Sequence, residues 1–141
     1  MQLWNRYVVF PDQSIFDIPS DIQHIYIYGF EGCRDVKLIL SPNSFHRLKS
    51  IIIGKNGFQY VREFVVDGLE RLESVKIREK CFGVYNGVCR ITNCPNLCQL
   101  EIGGYSFWDF KSFELSNLNS LQSIKFGHYC FYYADFSLNG K

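Results

Sequence analysis

The chain has 141 residues, 47% of them hydrophobic and 17% aromatic, and a formal net charge of +1 at pH 7. That length is enough to bury a core within one domain. Lysines and arginines are scattered singly among acidic residues, a pattern that offers no electrostatic footprint for nucleic acid or an anionic membrane. The chain start lacks a basic stretch followed by an apolar run, and no apolar run approaches about 18 residues, so we predict neither a signal peptide nor a membrane span.

The first 14 residues differ in pattern from the rest of the chain. They contain apolar residues that follow no repeat: Trp4, Tyr7, Val8, Val9 and Phe10. Terminal units of repeat proteins are atypical because they close the core. We therefore predict a cap-like segment at residues 1–14.

A degenerate repeat follows at residues 15–44. Its stretch IQHIYIYGFEG alternates apolar and polar residues, and Ile25 and Ile27 precede the equivalent pair of the next unit by 26 residues. Such alternation is the period of a strand with one buried face. We expect Ile22, Ile25 and Ile27 to contribute to the core.

Residues 45–141 contain four regular repeats. Two series recur at intervals of 24, 25 and 24 residues: Leu48, Leu72, Leu97 and Leu121, and Phe58, Phe82, Phe107 and Phe131. Alternating apolar pairs keep step with them: Ile51/Ile53, Val75/Ile77, Leu100/Ile102 and Ile124/Phe126. A further set of apolar pairs recurs at intervals that differ by one residue from those of the leucine and phenylalanine series: Phe64/Val66, Cys89/Ile91, Phe113/Leu115 and Phe136/Leu138. The alternation predicts two short strands in each repeat of about 24 residues.

The joints of the repeat favour sharp changes of direction. Gly54, Gly103 and Gly127 follow the first strand, where we expect glycine to supply backbone angles that a side chain forbids. No window carries a convincing helical stripe, and Pro42 and Pro95 lie between units. A unit of about 24 residues cannot bury its apolar face alone, so units must stack and equivalent strands must pair in parallel. The predicted fold is a mostly β solenoid, with at most a turn of helix in some joints.

The stretches LKSIIIG, LESVKIR, LCQLEIG and LQSIKFG resemble the leucine-rich repeat motif L-x-x-L-x-L, whose units span about 20–29 residues. The phenylalanine after the glycine and the second strand F-x-L are closer to the irregular BspA-like type than to helix-backed repeats. The usual asparagine after the strand is replaced by glycine or Arg78, although Asn93 and Asn117 stand at the end of the second strand. The resemblance covers residues 45–141 closely and 15–44 loosely. It implies a leucine-rich-repeat-like solenoid of the kind found on bacterial and protist surfaces.

The carboxyl-terminal end is predicted to be uncapped. The stretch FYYADFSLNGK stops where another L-x-x-L would be expected. We expect either a piece of a longer array or an assembly that stacks this end on a partner, with a homo-oligomer as one candidate assembly. The candidate stacking residues are Phe131, Phe136 and Leu138.

Most of the six cysteines occupy ordinary positions of the repeat. Cys81 and Cys130 take the slot held by Gly57 and Ser106 in other units. Free cysteine readily fills cores as a small apolar residue. The cluster Cys89, Cys94 and Cys98 lacks the spacing and the nearby histidine of a zinc site, so no metal or cofactor is predicted. Reduced thiols in this number favour an intracellular location over a cell-surface one.

Catalysis is the least expected activity. The three histidines lie far apart in the repeat, and none has a placed acid or nucleophile: His24, His46 and His128. The glycines follow the repeat period and do not form a phosphate-binding loop. We therefore predict no catalytic residues.

The outward positions of the first strand of each repeat are predicted to form one sheet surface, the first-strand face. Parallel rungs place side chains about 4.8 Å apart on a stiff support, and aromatic residues are favoured binding anchors. The candidate partner-binding residues of this face are His24, Tyr26, Tyr28, Ile52, Lys76, Arg78, Glu101 and Lys125. A second aromatic group falls in the connection between the strands, with some members expected to pack inward: Tyr60, Tyr85, Trp108, Tyr132 and Tyr133.

The favoured function is a non-catalytic protein–protein interaction scaffold that presents the first-strand face. The alternative is a cell-surface or secreted module that recognises carbohydrate or a host protein, as the BspA-like resemblance implies. Self-assembly through the uncapped end is compatible with either. The expected partner is a protein, with no role for nucleic acid.

Overall fold

The computed structural model describes residues 2–3, 6–9, 18–27, 37–132 and 134–139. Four residues named above therefore lie outside the described part of the chain: Trp4, Phe10, Tyr28 and Tyr133. Described residues form twelve strands and one helical turn. In chain order these are β1 (Gln2–Leu3), β2 (Arg6–Val9), β3 (His24–Ile27), β4 (Lys37–Leu40), α1 (Pro42–Phe45), β5 (Ser50–Ile53), β6 (Glu63–Asp67), β7 (Ser74–Ile77), β8 (Val88–Thr92), β9 (Gln99–Ile102), β10 (Ser112–Ser116), β11 (Ser123–Phe126) and β12 (Asp135–Asn139).

The strands build two sheets that run the length of the stack. The first sheet has the order β1-β2-β3-β5-β7-β9-β11, and the second has the order β12-β10-β8-β6-β4. All neighbours pair in parallel except β1 with β2, which are antiparallel. Each regular repeat gives one strand to each sheet: β5 and β6, β7 and β8, β9 and β10, β11 and β12. The prediction of a mostly β solenoid with two short strands per repeat is confirmed.

The core lies between the two sheets and is filled by the alternating residues of the pattern. Strand β5 shows the alternation, since Ile51 and Ile53 are fully buried while Ser50 and Ile52 are partly exposed. The strands register without slip, so that Ile51 pairs with Val75 and Val75 with Leu100. Parallel pairing of this kind places each apolar residue over its equivalent in the next repeat. The predicted ladders are therefore physical columns of side chains.

The phenylalanine series forms one column of stacked rings. Ring centroids of Phe58 and Phe82 are 5.5 Å apart, those of Phe82 and Phe107 are 4.6 Å apart, and those of Phe107 and Phe131 are 4.7 Å apart. The last two pairs are almost coplanar, with interplanar angles of 6° and 11°. Each fully buried ring is expected to contribute about 1.5–3 kcal/mol through burial, and stacking adds to it.

The chain turns from the first sheet toward the second through left-handed backbone. Phe58, Phe82, Phe107 and Phe131 all have φ between 51° and 57°. The residue two positions earlier is also left-handed in every repeat: Asn56, Lys80, Tyr105 and Tyr129. A non-glycine residue in this region costs about 1–2 kcal/mol, so burial of the ring roughly offsets the strain of the corner.

The glycines after the first strand have a different role from the one predicted. Among the described residues, Gly68 is the glycine with positive φ, whereas Gly54, Gly103 and Gly127 do not have it. Instead, there is no room for a side chain, because a Cβ on Gly103 would lie 2.5 Å from the backbone nitrogen of Glu79. A Cβ on Gly127 would likewise collide with the backbone of the preceding repeat. Gly103 and Gly127 are therefore needed for close approach between neighbouring turns, and the sharp corner follows a few residues later.

A polar ladder marks the corner after the second strand. Gly68, Asn93 and Asn117 hold the same left-handed position, with φ of 73°, 56° and 55°. The Asn117 amide donates to Asn93 Oδ1 at 2.7 Å, and the Asn93 amide donates to Asp67 Oδ1 at 2.9 Å. Glycine and asparagine are the residues that tolerate this conformation best, so Gly68 continues the series.

Substitution of Phe107 by alanine should destabilise the protein by about 3–5 kcal/mol, because its ring is fully buried between two stacked neighbours. Tyr85→Ala is the matched control, since Tyr85 is 77% exposed and its loss should change stability by less than about 0.5 kcal/mol. Urea unfolding followed by circular dichroism measures both values. Equal stability of the two variants would contradict the stacked column.

Candidate functional site

The first-strand face contains one continuous row of side chains from neighbouring strands. Backbone register places Tyr26 beside Ile52, Ile52 beside Lys76, Lys76 beside Glu101, and Glu101 beside Lys125. Tyr26 and Ile52 are partly exposed, so the row begins apolar and continues charged. Lys125 Nζ lies 4.0 Å from Glu101 Oε1, and such surface ion pairs contribute about 0–1 kcal/mol. The structure thus brings five of the predicted partner-binding residues together.

A second row runs parallel to the first on this face. His24 lies beside Ser50, and the row continues through Ser74, Gln99 and Ser123. His24 Nδ1 and Ser50 Oγ are 2.6 Å apart, within hydrogen-bonding distance. Small polar side chains make up most of this row, so it projects only a short distance from the sheet. Arg78 is exposed and lies one residue beyond the end of β7, next to the same face.

A cluster of four aromatic rings lies on the outside of the corner that follows the first sheet. We call it the aromatic platform, and it consists of Tyr105, Trp108, Tyr129 and Tyr132. Trp108 and Tyr132 stack with centroids 4.6 Å apart and planes within 8° of each other. Tyr105 lies 5.6 Å from Trp108 and 5.3 Å from Tyr129, and Tyr129 lies 5.9 Å from Tyr132. The three tyrosines are 47%, 53% and 55% exposed, in chain order.

The repeat itself creates the platform. Tyr105 and Tyr129 occupy the position two residues before the column phenylalanine, and Trp108 and Tyr132 occupy the position one residue after it. The Tyr105 amide donates to the His128 carbonyl at 2.9 Å, which ties the two corners together. Sequence reasoning named Trp108 and Tyr132 but missed Tyr105 and Tyr129. The sequence does contain a pattern that identifies them, because the two tyrosines are separated by the repeat length of 24 residues.

The last rung of the solenoid exposes apolar side chains. Ile124 is 42% exposed and Phe126 is 41% exposed, whereas the equivalent residues of the preceding repeat, Leu100 and Ile102, are buried. Strand β11 is at the edge of its sheet in the described chain. Phe131 is 8% exposed and its ring centroid lies 3.8 Å from that of Phe113, so it belongs to the core. Of the other predicted stacking residues, Phe136 and Leu138 lie in edge strand β12.

The described cysteines are free, and burial raises the pKa of four of their thiols. Burial raises the pKa of the Cys81 thiol from 9.0 to about 12 and that of Cys94 to about 11. Burial also raises the pKa of Cys130 and raises that of Cys89 well above 9.0. The Cys81 thiol donates to the Gly54 carbonyl at 3.1 Å, as a small residue of the ladder would. Because the thiolate is the nucleophile and metal ligand, a raised pKa lowers the reactivity of these thiols.

Among the described residues, no three histidine, cysteine, aspartate or glutamate side chains come close enough together to hold a metal ion. No helix in the described ranges has the length and apolar character needed to cross a membrane. The surfaces that remain to be explained are the first-strand face, the aromatic platform and the last rung.

Comparison of the chain with known protein families, with curated proteins and with solved structures finds no match. The resemblance to leucine-rich repeats rests on the residue pattern alone and stays a prediction.

Stability should fall as the pH rises above about 9, because thiols exposed by unfolding lose their protons near pH 9.0 while the buried Cys81 keeps its proton until about pH 12. The stabilisation from the buried neutral thiol is fully present below pH 9 and is lost between these values, with a slope of at most about 1.4 kcal/mol per pH unit. Urea unfolding in reductant at pH 8 and pH 10.5 measures it. Cys81→Ala should show a shallower pH dependence than the original chain, and an identical dependence would contradict this account.

Proposed function

We propose that the chain is a non-catalytic protein-interaction scaffold, a solenoid of the leucine-rich-repeat-like type that holds a partner on its surface. The aromatic platform is the observation that carries this proposal. Its rings lie outside the core column, and three of them are about half exposed. Exposed clusters of tyrosine and tryptophan are enriched at the energetic centres of protein interfaces.

The support beneath the platform suits recognition. Each platform ring is one or two residues from a phenylalanine of the buried column, so its backbone is fixed by the core. Interactions between rings restrict the side chains before a partner arrives: Trp108 stacks on Tyr132, and Tyr105 contacts both Trp108 and Tyr129. A surface that is ordered in advance loses less conformational entropy on binding.

The first-strand face supplies a second contact zone in this proposal. Strands β9 and β11 lead directly into the corner turns that carry the platform. The face contributes charged residues, Lys76, Glu101 and Lys125, which would set orientation and specificity more than affinity. The aromatic platform would supply most of the binding free energy, and the charged row would orient the partner as it approaches the platform.

Removal of two platform rings, in the double variant Trp108→Ala with Tyr132→Ala, should reduce capture of partner proteins from native lysate by at least about tenfold. The folded state should persist because neither ring belongs to the buried column. Quantitative mass spectrometry of the captured proteins compares the variant with the original chain. Tyr85→Ala is the control for an exposed tyrosine outside the platform, and it should leave capture within about twofold.

A first-strand variant, Tyr26→Ala with Ile52→Ala, completes the comparison. Loss of capture in this variant alone would show that the partner binds mainly through the first-strand face and not through the platform. Unchanged capture in all variants with native unfolding midpoints would overturn the interaction proposal for both surfaces.

Self-association through the last rung is a second proposal, favoured by the exposure of Ile124 and Phe126. A second copy is the proposed occupant, since its own apolar rung would cover these side chains. The sedimentation coefficient of the original chain should then rise with protein concentration, and Ile124→Lys should abolish the rise because it would bury an unpaired charge. Lys125→Gln is the control on the same strand. A concentration-independent monomer would contradict this proposal.

A further inference from the structure

The two ends of the solenoid differ in how they close the core. At one end the first sheet finishes at β1, a strand of two residues that pairs antiparallel with β2. The second sheet finishes there at β4, yet its inward residues Leu38 and Leu40 are only 2% and 1% exposed. At the other end of the described chain, the inward residues of edge strand β11, Ile124 and Phe126, are 42% and 41% exposed. The core is therefore closed at the first end and open at the second.

The open end presents backbone groups as well as apolar side chains. The Ser123 amide donates to the Cys98 carbonyl at 3.1 Å, and the Gly127 amide donates to the Ile102 carbonyl at 2.8 Å, both back toward the preceding repeat. Backbone groups of successive residues point to opposite sides of a strand. The N–H and C=O groups of Ile124 therefore point away from that repeat, toward the open edge. Such an edge is a ready template for pairing with another strand.

The closed first end decides how two copies of the chain can meet. Head-to-tail stacking would place the open end of one copy against the closed end of the next, where Leu38 and Leu40 are already covered. Contact between two open ends instead covers both uncovered rungs at once. Two identical surfaces meet about a two-fold axis, which closes the assembly at a dimer, whereas head-to-tail contacts grow into filaments.

We propose that two copies join through their open ends, with the two β11 strands paired antiparallel about a two-fold axis. An axis perpendicular to the first sheet reverses the strand direction, so the sheet continues from one copy into the other. The inference rests on the self-association proposed above and specifies its geometry and stoichiometry. The dimer would present two aromatic platforms, so a partner with two binding segments would gain avidity.

Charge favours one register of this strand pair. With Ile124 opposite the partner's Ile124, Lys125 lies opposite the partner's Ser123. A shift that places Ile124 opposite the partner's Phe126 would put Lys125 opposite the partner's Lys125, and like charges directly opposite are unfavourable. We therefore place the two-fold axis at Ile124.

Sedimentation equilibrium of the full chain over a range of concentrations tests the stoichiometry. A monomer–dimer equilibrium should describe the data without larger species. Ile124→Lys should weaken the dimer at least about tenfold, because two lysines would then face each other across the axis. Ile39→Lys is the matched control at the closed end, since Ile39 is 46% exposed, and it should leave the dimer within about twofold.

Charge complementation tests the two-fold geometry. Ile124→Glu alone should also weaken the dimer, whereas an equimolar mixture of Ile124→Lys and Ile124→Glu should recover a dimer through attraction between the opposite charges. Only a symmetric contact brings residue 124 of both copies together. In a head-to-tail contact this residue would meet a different part of the next copy, and mixing would restore nothing.

If either charge variant fails to fold, hydrogen exchange of the original chain provides the test, because the Ile124 amide should exchange more slowly at concentrations where the dimer forms. A monomer at every concentration would overturn this inference together with the self-association proposal, and would leave the platform proposal untouched. Species larger than a dimer, a dimer insensitive to Ile124→Lys, a mixture of charge variants that stays monomeric, or unchanged exchange at Ile124 would each overturn the two-fold contact.

Discussion

Stacking of the phenylalanine column is the interaction on which the rest of the structure depends. The rings of Phe82, Phe107 and Phe131 follow one another at 4.6 and 4.7 Å, which is the spacing of strands within a sheet. Their backbones are joined as well, since the Phe107 amide donates to the Cys81 carbonyl at 2.9 Å. A slip of one residue in any repeat would remove a ring from the column and turn its strand inside out. The column therefore fixes the register of both sheets and of every corner between them.

Regular repetition makes each surface of this protein a set of columns, one side chain per turn. One column holds Asn93 and Asn117, whose amide ladder ends on Asp67, and two other columns hold the rings of the aromatic platform. An extended surface then arises where neighbouring turns place similar residues in the same columns. The aromatic platform is such a surface.

The fold could be predicted from the sequence because buried and exposed positions alternate with the same period as apolar and polar residues. Leu100 and Ile102 were predicted to be buried from their spacing, and both are. The left-handed corners were not predicted, because tyrosine, lysine and phenylalanine rarely adopt this conformation and spacing carries no information on φ. The role of Gly103 was misassigned for a related reason, since the close approach of the Glu79 backbone comes from the neighbouring turn. Tertiary packing, absent from any local pattern, decides both.

Adjacent residues at the corner belong to the buried column and to the proposed recognition surface. Phe107 is fully buried, while the next residue, Trp108, lies on the outside and stacks on Tyr132. The slot of Trp108 is filled by Gln59 and Gly83 in other repeats, so the fold tolerates a polar side chain or none at that position. The buried column therefore does not require a tryptophan and a tyrosine there, and exposed aromatic surface lowers solubility. The contact with a partner that we propose would account for aromatic residues that the core does not need.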